Sequence, residues 1–143
     1  RKKYNLTELL FGYKKYSTYK GEVDDKIKLL SGFKYSICFE NLTDIKGYIS
    51  EKIFDCLKAK CVPIYWGASD IEKYIPKDCF IDFRDFGDYE KLLSFLDSID
   101  ESKYNNYIKN IEALLSDKKF IDMWFEMGFA KFFLNDVLEI KDE

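Results

Sequence analysis

Helical and strand-like hydrophobic patterns alternate along the first half of the chain. Apolar residues recur at helical spacing in residues 4–16 and 24–32, and a short aromatic and β-branched run then fills residues 33–39. Ser50 is expected to cap the next helix, which ends near residue 60, and a second apolar run occupies residues 61–66. Because helices of this kind connect neighbouring parallel strands, the pattern predicts an α/β domain with a parallel sheet.

The second half of the pattern is mostly helical. Ser69 is expected to cap a short helix that Pro76 ends, and residues 79–83 are expected to form a third strand. Three further helices are expected, at residues 88–96, 101–115 and 118–140. Ligands of doubly wound sheets bind beyond the carboxyl ends of the strands, so we expect the functional site at residues 40–52.

The composition excludes several classes of function and leaves the predicted fold unchanged. The chain has 143 residues, 47% of them hydrophobic, which is enough for one domain with a buried core. Twenty-three basic and 26 acidic residues give a net charge of −3, which argues against a nucleic-acid-binding protein. The sequence contains no histidine, so Ser-His-Asp or Cys-His catalysis and histidine-ligated metals are excluded within this segment. Because it starts with Arg1, the sequence is interpreted as part of a longer protein.

The four cysteines do not form a recognisable metal or redox motif. They contain no C-x-x-C pair, and their positions are Cys38, Cys56, Cys61 and Cys79. Their apolar surroundings predict buried free thiols in a reducing compartment, with a disulfide framework as the alternative. No apolar run of about 18 residues is present, so no transmembrane helix is expected.

Lys52 is the main candidate for chemistry. It lies in the first turn of the helix that Ser50 begins, where a cation opposes the helix dipole unless an anion is bound. With Gly47 allowing close backbone approach, this helix start is a candidate phosphate site. The alternative is that Lys52 pairs with Asp55 or Glu51 in solvent. No glycine-rich phosphate loop and no Asp-x-Asp pair is present, so a bound phosphate would be neutralised by cations rather than by a metal.

Three segments carry a resemblance to a known family. The segments FKYSICFEN (residues 33–41), GYISEKI (47–53) and VPIYWG (62–67) resemble the hallmark motifs of the α1,3/α1,4-fucosyltransferases. Residues 75–86 are similar to the family's next segment, and the similarity covers about residues 26–97 in consistent order and spacing.

The resemblance implies a Rossmann-like parallel sheet flanked by helices, as in the C-terminal half of a two-domain GT-B glycosyltransferase, with a helical C-terminus. Residues 1–143 would form a single GDP-fucose-binding domain, and the acceptor domain would lie upstream. The implied enzyme is an inverting fucosyltransferase that moves fucose from GDP-fucose to a GlcNAc- or Glc-type hydroxyl of an oligosaccharide, without a cofactor or donor-bound metal. The alternatives are a non-catalytic nucleotide-sugar-binding or interaction module and a relative that uses another sugar nucleotide.

Five residues match donor contacts of the family. Lys52 would neutralise the diphosphate, Glu51 would accept hydrogen bonds from sugar hydroxyls, and Tyr48 would bond a phosphate oxygen or line the sugar. Asn41 would position the loop or the donor, and Arg1 matches an arginine that contacts the phosphates. The resemblance places the general base on the missing domain, so no catalytic residue is expected in this segment.

The expected partners are GDP-fucose and, through the missing domain, a glycan acceptor, with no nucleic acid. The aromatic C-terminal helix is expected to pack on this domain and on the missing one, with peripheral membrane contact as the alternative. Members of the family are either bacterial proteins, cytoplasmic or peripheral to the membrane, or eukaryotic proteins of the Golgi membrane, and both locations stay open.

Overall fold

The structure, a computed structural model, describes residues 21–125 of the chain. Within them, five α-helices and three β-strands follow one another in an alternating and then helical order. These elements are α1 (Lys26–Leu30), β1 (Tyr35–Phe39), α2 (Glu51–Lys58), β2 (Val62–Trp66), β3 (Ile81–Asp82), α3 (Tyr89–Asp97), α4 (Glu101–Ser116) and α5 (Lys118–Trp124).

The three strands form one parallel sheet in the order β1-β2-β3. Ile37 of β1 is in register with Ile64 of β2, which in turn is in register with Ile81 of β3. Helix α2 connects β1 to β2 and packs against both strands. The predicted Rossmann-like α/β architecture with a parallel sheet is confirmed.

The helix starts follow the sequence signals closely. Ser50 caps α2 by accepting a hydrogen bond from the Lys52 backbone N–H, as expected. Asp88 caps α3 through the backbone N–H of Lys91, at 2.8 Å. Both caps satisfy N–H groups that have no partner inside the helix, which explains why short polar residues mark these starts.

The connection from β2 to β3 differs from the prediction. The short helix expected after Ser69 is a single 3₁₀ turn, Ile71–Lys73, and a second 3₁₀ turn follows at Lys77–Cys79. Ser69 does not cap this turn, since its hydroxyl faces the backbone carbonyl of Asp44 at 3.4 Å. The segment between Gly67 and Pro76 is too short for a stable α-helix, because one turn fixes several dihedrals for few hydrogen bonds.

Two predicted elements are shorter than expected. The third strand is limited to Ile81–Asp82, because the Asp82 side chain accepts a hydrogen bond from the Arg84 backbone N–H and starts a 3₁₀ turn. The expected helix over residues 118–140 is wrong as one continuous element, since α5 ends at Trp124 and Phe125 has extended backbone. The remainder of that prediction lies outside the described residues.

The core lies on both sides of β2. The first four residues of β2, Val62 to Tyr65, are buried, as expected for the central strand of a parallel sheet that is covered on both faces. Helix α2 adds four buried side chains, namely Ile53, Phe54, Cys56 and Leu57. All four cysteines are buried free thiols, as expected, and the reducing compartment stays a prediction. Among the helices of residues 21–125, none combines the length and apolar character that a membrane crossing requires.

Gly67, directly after β2, has no room for a side chain. A Cβ atom at this position would lie 2.5 Å from Cγ of Glu40 and 2.6 Å from Cζ of Tyr65, both of which are buried. We therefore expect Gly67→Ala to lower the free energy of unfolding by about 1–3 kcal/mol, the usual cost of overpacking. Urea unfolding measures this difference.

Gly32→Ala is the matched control for this substitution. Gly32 is exposed, and an added Cβ would meet only the Leu29 carbonyl oxygen, at an ordinary 3.4 Å. We expect this variant to stay within about 0.5 kcal/mol of the wild type. Equal stability of the two variants would show that the close approach at Gly67 is not a packing constraint.

Candidate functional site

The carboxyl ends of β1 and β2 meet at one edge of the sheet. The Glu40 backbone N–H donates to the Trp66 carbonyl at 2.8 Å, and the Asp44 N–H donates to the Gly67 carbonyl at 2.9 Å. The loop after β1 is therefore fixed against the end of β2 before the chain enters α2. This is the edge at which parallel α/β sheets bind ligands, and it contains the residues that the sequence predicted.

Glu40 is a buried carboxylate at the centre of this edge. Its side chain is 0% exposed. One carboxylate oxygen accepts a hydrogen bond from the Ser50 backbone N–H at 2.8 Å, and the other accepts one from the Ser50 hydroxyl at 2.6 Å. Because Ser50 is the cap of α2, Glu40 ties the start of that helix to the end of β1.

Lys52 reaches back from α2 to the same strand end. Its ammonium donates to the Phe39 carbonyl at 2.9 Å and to Oδ1 of Asn41 at 3.0 Å, and it lies 3.6 Å from Oε2 of Glu40. The side chain is still 30% exposed. The ammonium is therefore held in place by three oxygen atoms while one side of it faces solvent, where an anion can reach it.

The alternative pairing of Lys52 with Asp55 or Glu51 is wrong. Asp55 instead pairs with Lys26 of α1 at 2.7 Å. Glu51 is exposed as the first residue of α2, and the contacts of Lys52 run to the end of β1.

The other predicted donor contacts lie along the same loop and helix start. Asn41 is exposed and contacts Lys52 directly, whereas Tyr48 is half-buried two residues before the cap of α2. Glu51 is adjacent to Lys52 in the chain and exposed. Arg1 lies outside the described residues. The structure thus brings Asn41 and Lys52 into contact and places Tyr48 and Glu51 on either side of the cap.

The loop before α2 is anchored at Gly47. Its backbone N–H donates to Oδ1 of Asp70 at 2.8 Å, and its φ of 70° is one that glycine adopts without strain. This hydrogen bond, together with the nearby Lys73 ammonium, lowers the pKa of the Asp70 carboxyl below its ordinary value. The loop thus has a third fixed point, in addition to the backbone hydrogen bonds of Glu40 and Asp44.

Sequence reasoning missed two charged groups at this edge. Glu40 was assigned no role, although a carboxylate that directly follows a buried strand signals a specific partner. Asp82, also buried, accepts hydrogen bonds from the Arg84 guanidinium, with Nε at 2.9 Å from Oδ1 and Nη2 at 2.5 Å from Oδ2. This contact raises the pKa of Arg84, so its positive charge is fixed at the end of β3.

A metal site is not evident in the part of the chain that the structure describes. Within residues 21–125, no three Cys, Asp or Glu side chains are grouped as ligands of an ion. Metal-independent donor binding stays a prediction.

Comparison with known proteins identifies relatives in bacteria, plants and animals. The chain is 34% identical over 74 residues to an α-(1,3)-fucosyltransferase of Helicobacter pylori, covering 52% of this chain and 15% of that protein. It is 32% identical over 80 residues to an α-(1,4)-fucosyltransferase of Arabidopsis thaliana (54% and 20%). A mouse 4-galactosyl-N-acetylglucosaminide 3-α-L-fucosyltransferase 9 is 37% identical over 84 residues (56% and 23%). The matched part thus spans less than a quarter of each of these relatives.

Solved structures show the same similarity. A crystal structure of an α1,3-fucosyltransferase with GDP matches with a TM-score of 0.55 at 28% identity, over 60% of this chain and 26% of that chain. Residues 8–123 match the family model described as the C-terminal part of glycosyltransferase family 10 (fucosyltransferase). The chain therefore belongs to glycosyltransferase family 10, the fucosyltransferases, and corresponds to their C-terminal part.

Proposed function

We propose that this chain is the donor-binding domain of an α1,3- or α1,4-fucosyltransferase and that it holds GDP-fucose against the start of α2. The observation that carries the proposal is the Lys52 ammonium, fixed by Phe39, Asn41 and Glu40 at the sheet edge and open to solvent on one side. Family membership and the names of the relatives support this choice of donor. The solved relative with GDP adds support for the nucleotide.

The charges at this edge suit a diphosphate. Lys52 brings a positive charge to the N-terminal end of α2, where the helix dipole also favours an anion. When the bond between fucose and GDP breaks, negative charge grows on the leaving diphosphate, and a fixed cation stabilises it. In this proposal Glu51 accepts hydrogen bonds from sugar hydroxyls, Tyr48 contacts a phosphate oxygen or the sugar, and Arg1 is a second cation.

The domain would supply only the leaving-group side of the reaction. An upstream acceptor domain would provide the general base that activates a GlcNAc- or Glc-type hydroxyl of an oligosaccharide, and the attack would invert the anomeric carbon. Donor binding and fucose transfer are thus separable, and donor binding is the property to test on the 143-residue chain.

Calorimetry of the 143-residue chain with GDP and GDP-fucose tests the proposal. We expect one site per chain, weaker binding of UDP and UDP-glucose, and the same GDP affinity with and without EDTA. A chain that binds neither GDP nor GDP-fucose would contradict the proposed function. Tighter binding of the uridine compounds would favour another sugar nucleotide, and loss of GDP binding in EDTA would contradict the metal-independent site.

A further inference from the structure

Three buried thiols lie together behind the start of α2. Cys38 of β1 and Cys56 of α2 have their sulfur atoms 3.1 Å apart, although 18 positions separate them in the chain. Cys61, just before β2, is joined to Cys56 by a backbone hydrogen bond of 3.0 Å and is also fully buried. The proposed donor site uses none of these sulfur atoms.

The surroundings of Cys56 favour its thiolate form over its thiol form. Hydrogen bonding with the side chains of Cys38, Cys61 and Ser36 lowers the pKa of Cys56 below its ordinary value, and the charge of the Lys26 ammonium lowers it further. The thiolate is the nucleophilic form of cysteine. The pKa of Cys38 is raised by its hydrogen bond with Cys56 and by burial. In the proposal below, Cys56 acts as the nucleophile and Cys38 retains its proton.

We propose that Cys56 is an oxidation site for hydrogen peroxide and that it forms a reversible disulfide with Cys38. The Cys56 thiolate attacks one peroxide oxygen, the O–O bond breaks, and the departing hydroxide takes up a proton to leave as water, so that Cys56 becomes a sulfenic acid. The Cys38 sulfur then attacks the Cys56 sulfur, the S–O bond breaks, and a second water leaves. Two thiols and one peroxide thus give one disulfide and two waters.

In this proposal, peroxide reaches the buried pair through a local opening of helix α1. This five-residue helix packs on α2, and none of its side chains is fully buried, although Leu30 is partly buried against the core. Its Lys26 pairs with Asp55, the residue next to Cys56, at 2.7 Å. An element with so little buried surface opens locally at a small free-energy cost. In this proposal, such an opening exposes the α2 side of Cys56 and leaves the sheet folded.

The disulfide would act on the proposed donor site, and this part of the inference rests on the proposed function. Cys38 precedes Phe39, whose carbonyl holds the Lys52 ammonium, and the Cys38 thiol lies 3.6 Å from the Lys52 carbonyl oxygen. Cys56 is one helical turn after Lys52 on α2. In this proposal, closing the sulfur atoms from 3.1 Å to the bonded distance of about 2 Å draws the Cys56 turn of α2 toward β1. We expect the oxidised chain to bind GDP more weakly.

Peroxide treatment of the 143-residue chain tests the inference, with intact mass, peptide mapping and GDP calorimetry as readouts. We expect the loss of two hydrogen atoms, a Cys38–Cys56 cross-linked peptide, and a GDP dissociation constant raised about fivefold or more and restored by dithiothreitol. Cys38→Ala and Cys56→Ala should each abolish the cross-link. Three results would overturn the inference: a chain that keeps all its thiols, a cross-link of Cys56 to Cys61, or unchanged GDP binding by the oxidised chain.

Cys79→Ala is the matched control. Cys79 is equally buried, but its hydrogen-bond partner is Asp78, and burial together with that carboxylate raises the pKa of Cys79 to about 12. The variant should form the same disulfide at the same rate as the wild type. If the reduced chain does not bind GDP, the proposed function fails on that result alone, whereas the mass and peptide readouts still decide whether the disulfide forms.

Discussion

Lys52→Ala is expected to weaken GDP binding by about 1.5–3 kcal/mol, or roughly 10- to 150-fold, the range for a lost charge-assisted contact. The ammonium is held by the Phe39 carbonyl and by Asn41, so it needs little rearrangement to meet a diphosphate. A flexible surface lysine would lose more side-chain entropy on binding and would therefore contribute less to the free energy of GDP binding. Calorimetry with GDP measures the change for wild type and variant.

Lys46→Ala is the control for charge alone. Lys46 is an exposed cation in the same loop before α2, and it is not one of the proposed donor contacts. Its removal changes the net charge of the chain as Lys52→Ala does, so we expect at most a small change in GDP affinity at physiological salt. Equal affinities of wild type and Lys52→Ala would remove Lys52 from the donor site, and equal losses in both variants would reduce its role to general electrostatic attraction.

The sequence predicted those features of the fold that depend on local patterns. Apolar runs located β1 and β2 within one or two residues, and short polar residues such as Ser50 and Asp88 marked the helix starts. Both signals work because neighbouring residues decide them, through side-chain alternation in strands and through N–H groups without partners in the first helical turn. The 3₁₀ turn at Ile71–Lys73 was missed, because the segment is too short to show a period.

The partners of the site residues could not be predicted in the same way. Lys52 has Glu51 and Asp55 close by in sequence, but its ammonium contacts Asn41, which is 11 positions away, and Asp55 contacts Lys26 of another helix. These contacts depend on how α2 lies across the end of β1. The packing of the buried face of α2 determines that position. The resemblance to a family marked Lys52 and Asn41 as residues of one site without indicating that they touch.

Glu40→Gln is expected to lower the free energy of unfolding by about 3 kcal/mol, as when one partner of a buried ion pair is removed. An amide can still accept the Ser50 N–H bond with its oxygen. Its NH₂ group, however, would replace the oxygen that accepts the Ser50 hydroxyl at 2.6 Å and faces the Lys52 ammonium at 3.6 Å. Two donors would then face each other at a side-chain position that is fully buried. Urea unfolding, followed by circular dichroism, measures the loss.

Glu90→Gln is the control, because Glu90 is an exposed carboxylate in the first turn of α3 and should change stability by less than about 0.5 kcal/mol. The double variant Glu40→Gln with Lys52→Met separates the two contributions of Glu40. If its carboxylate acts through Lys52, the two losses add to more than the loss in the double variant, with a coupling of about 0.5–3 kcal/mol. Strictly additive losses would instead assign the effect of Glu40 to the Ser50 cap alone, and the position of the ammonium would then depend on Phe39 and Asn41.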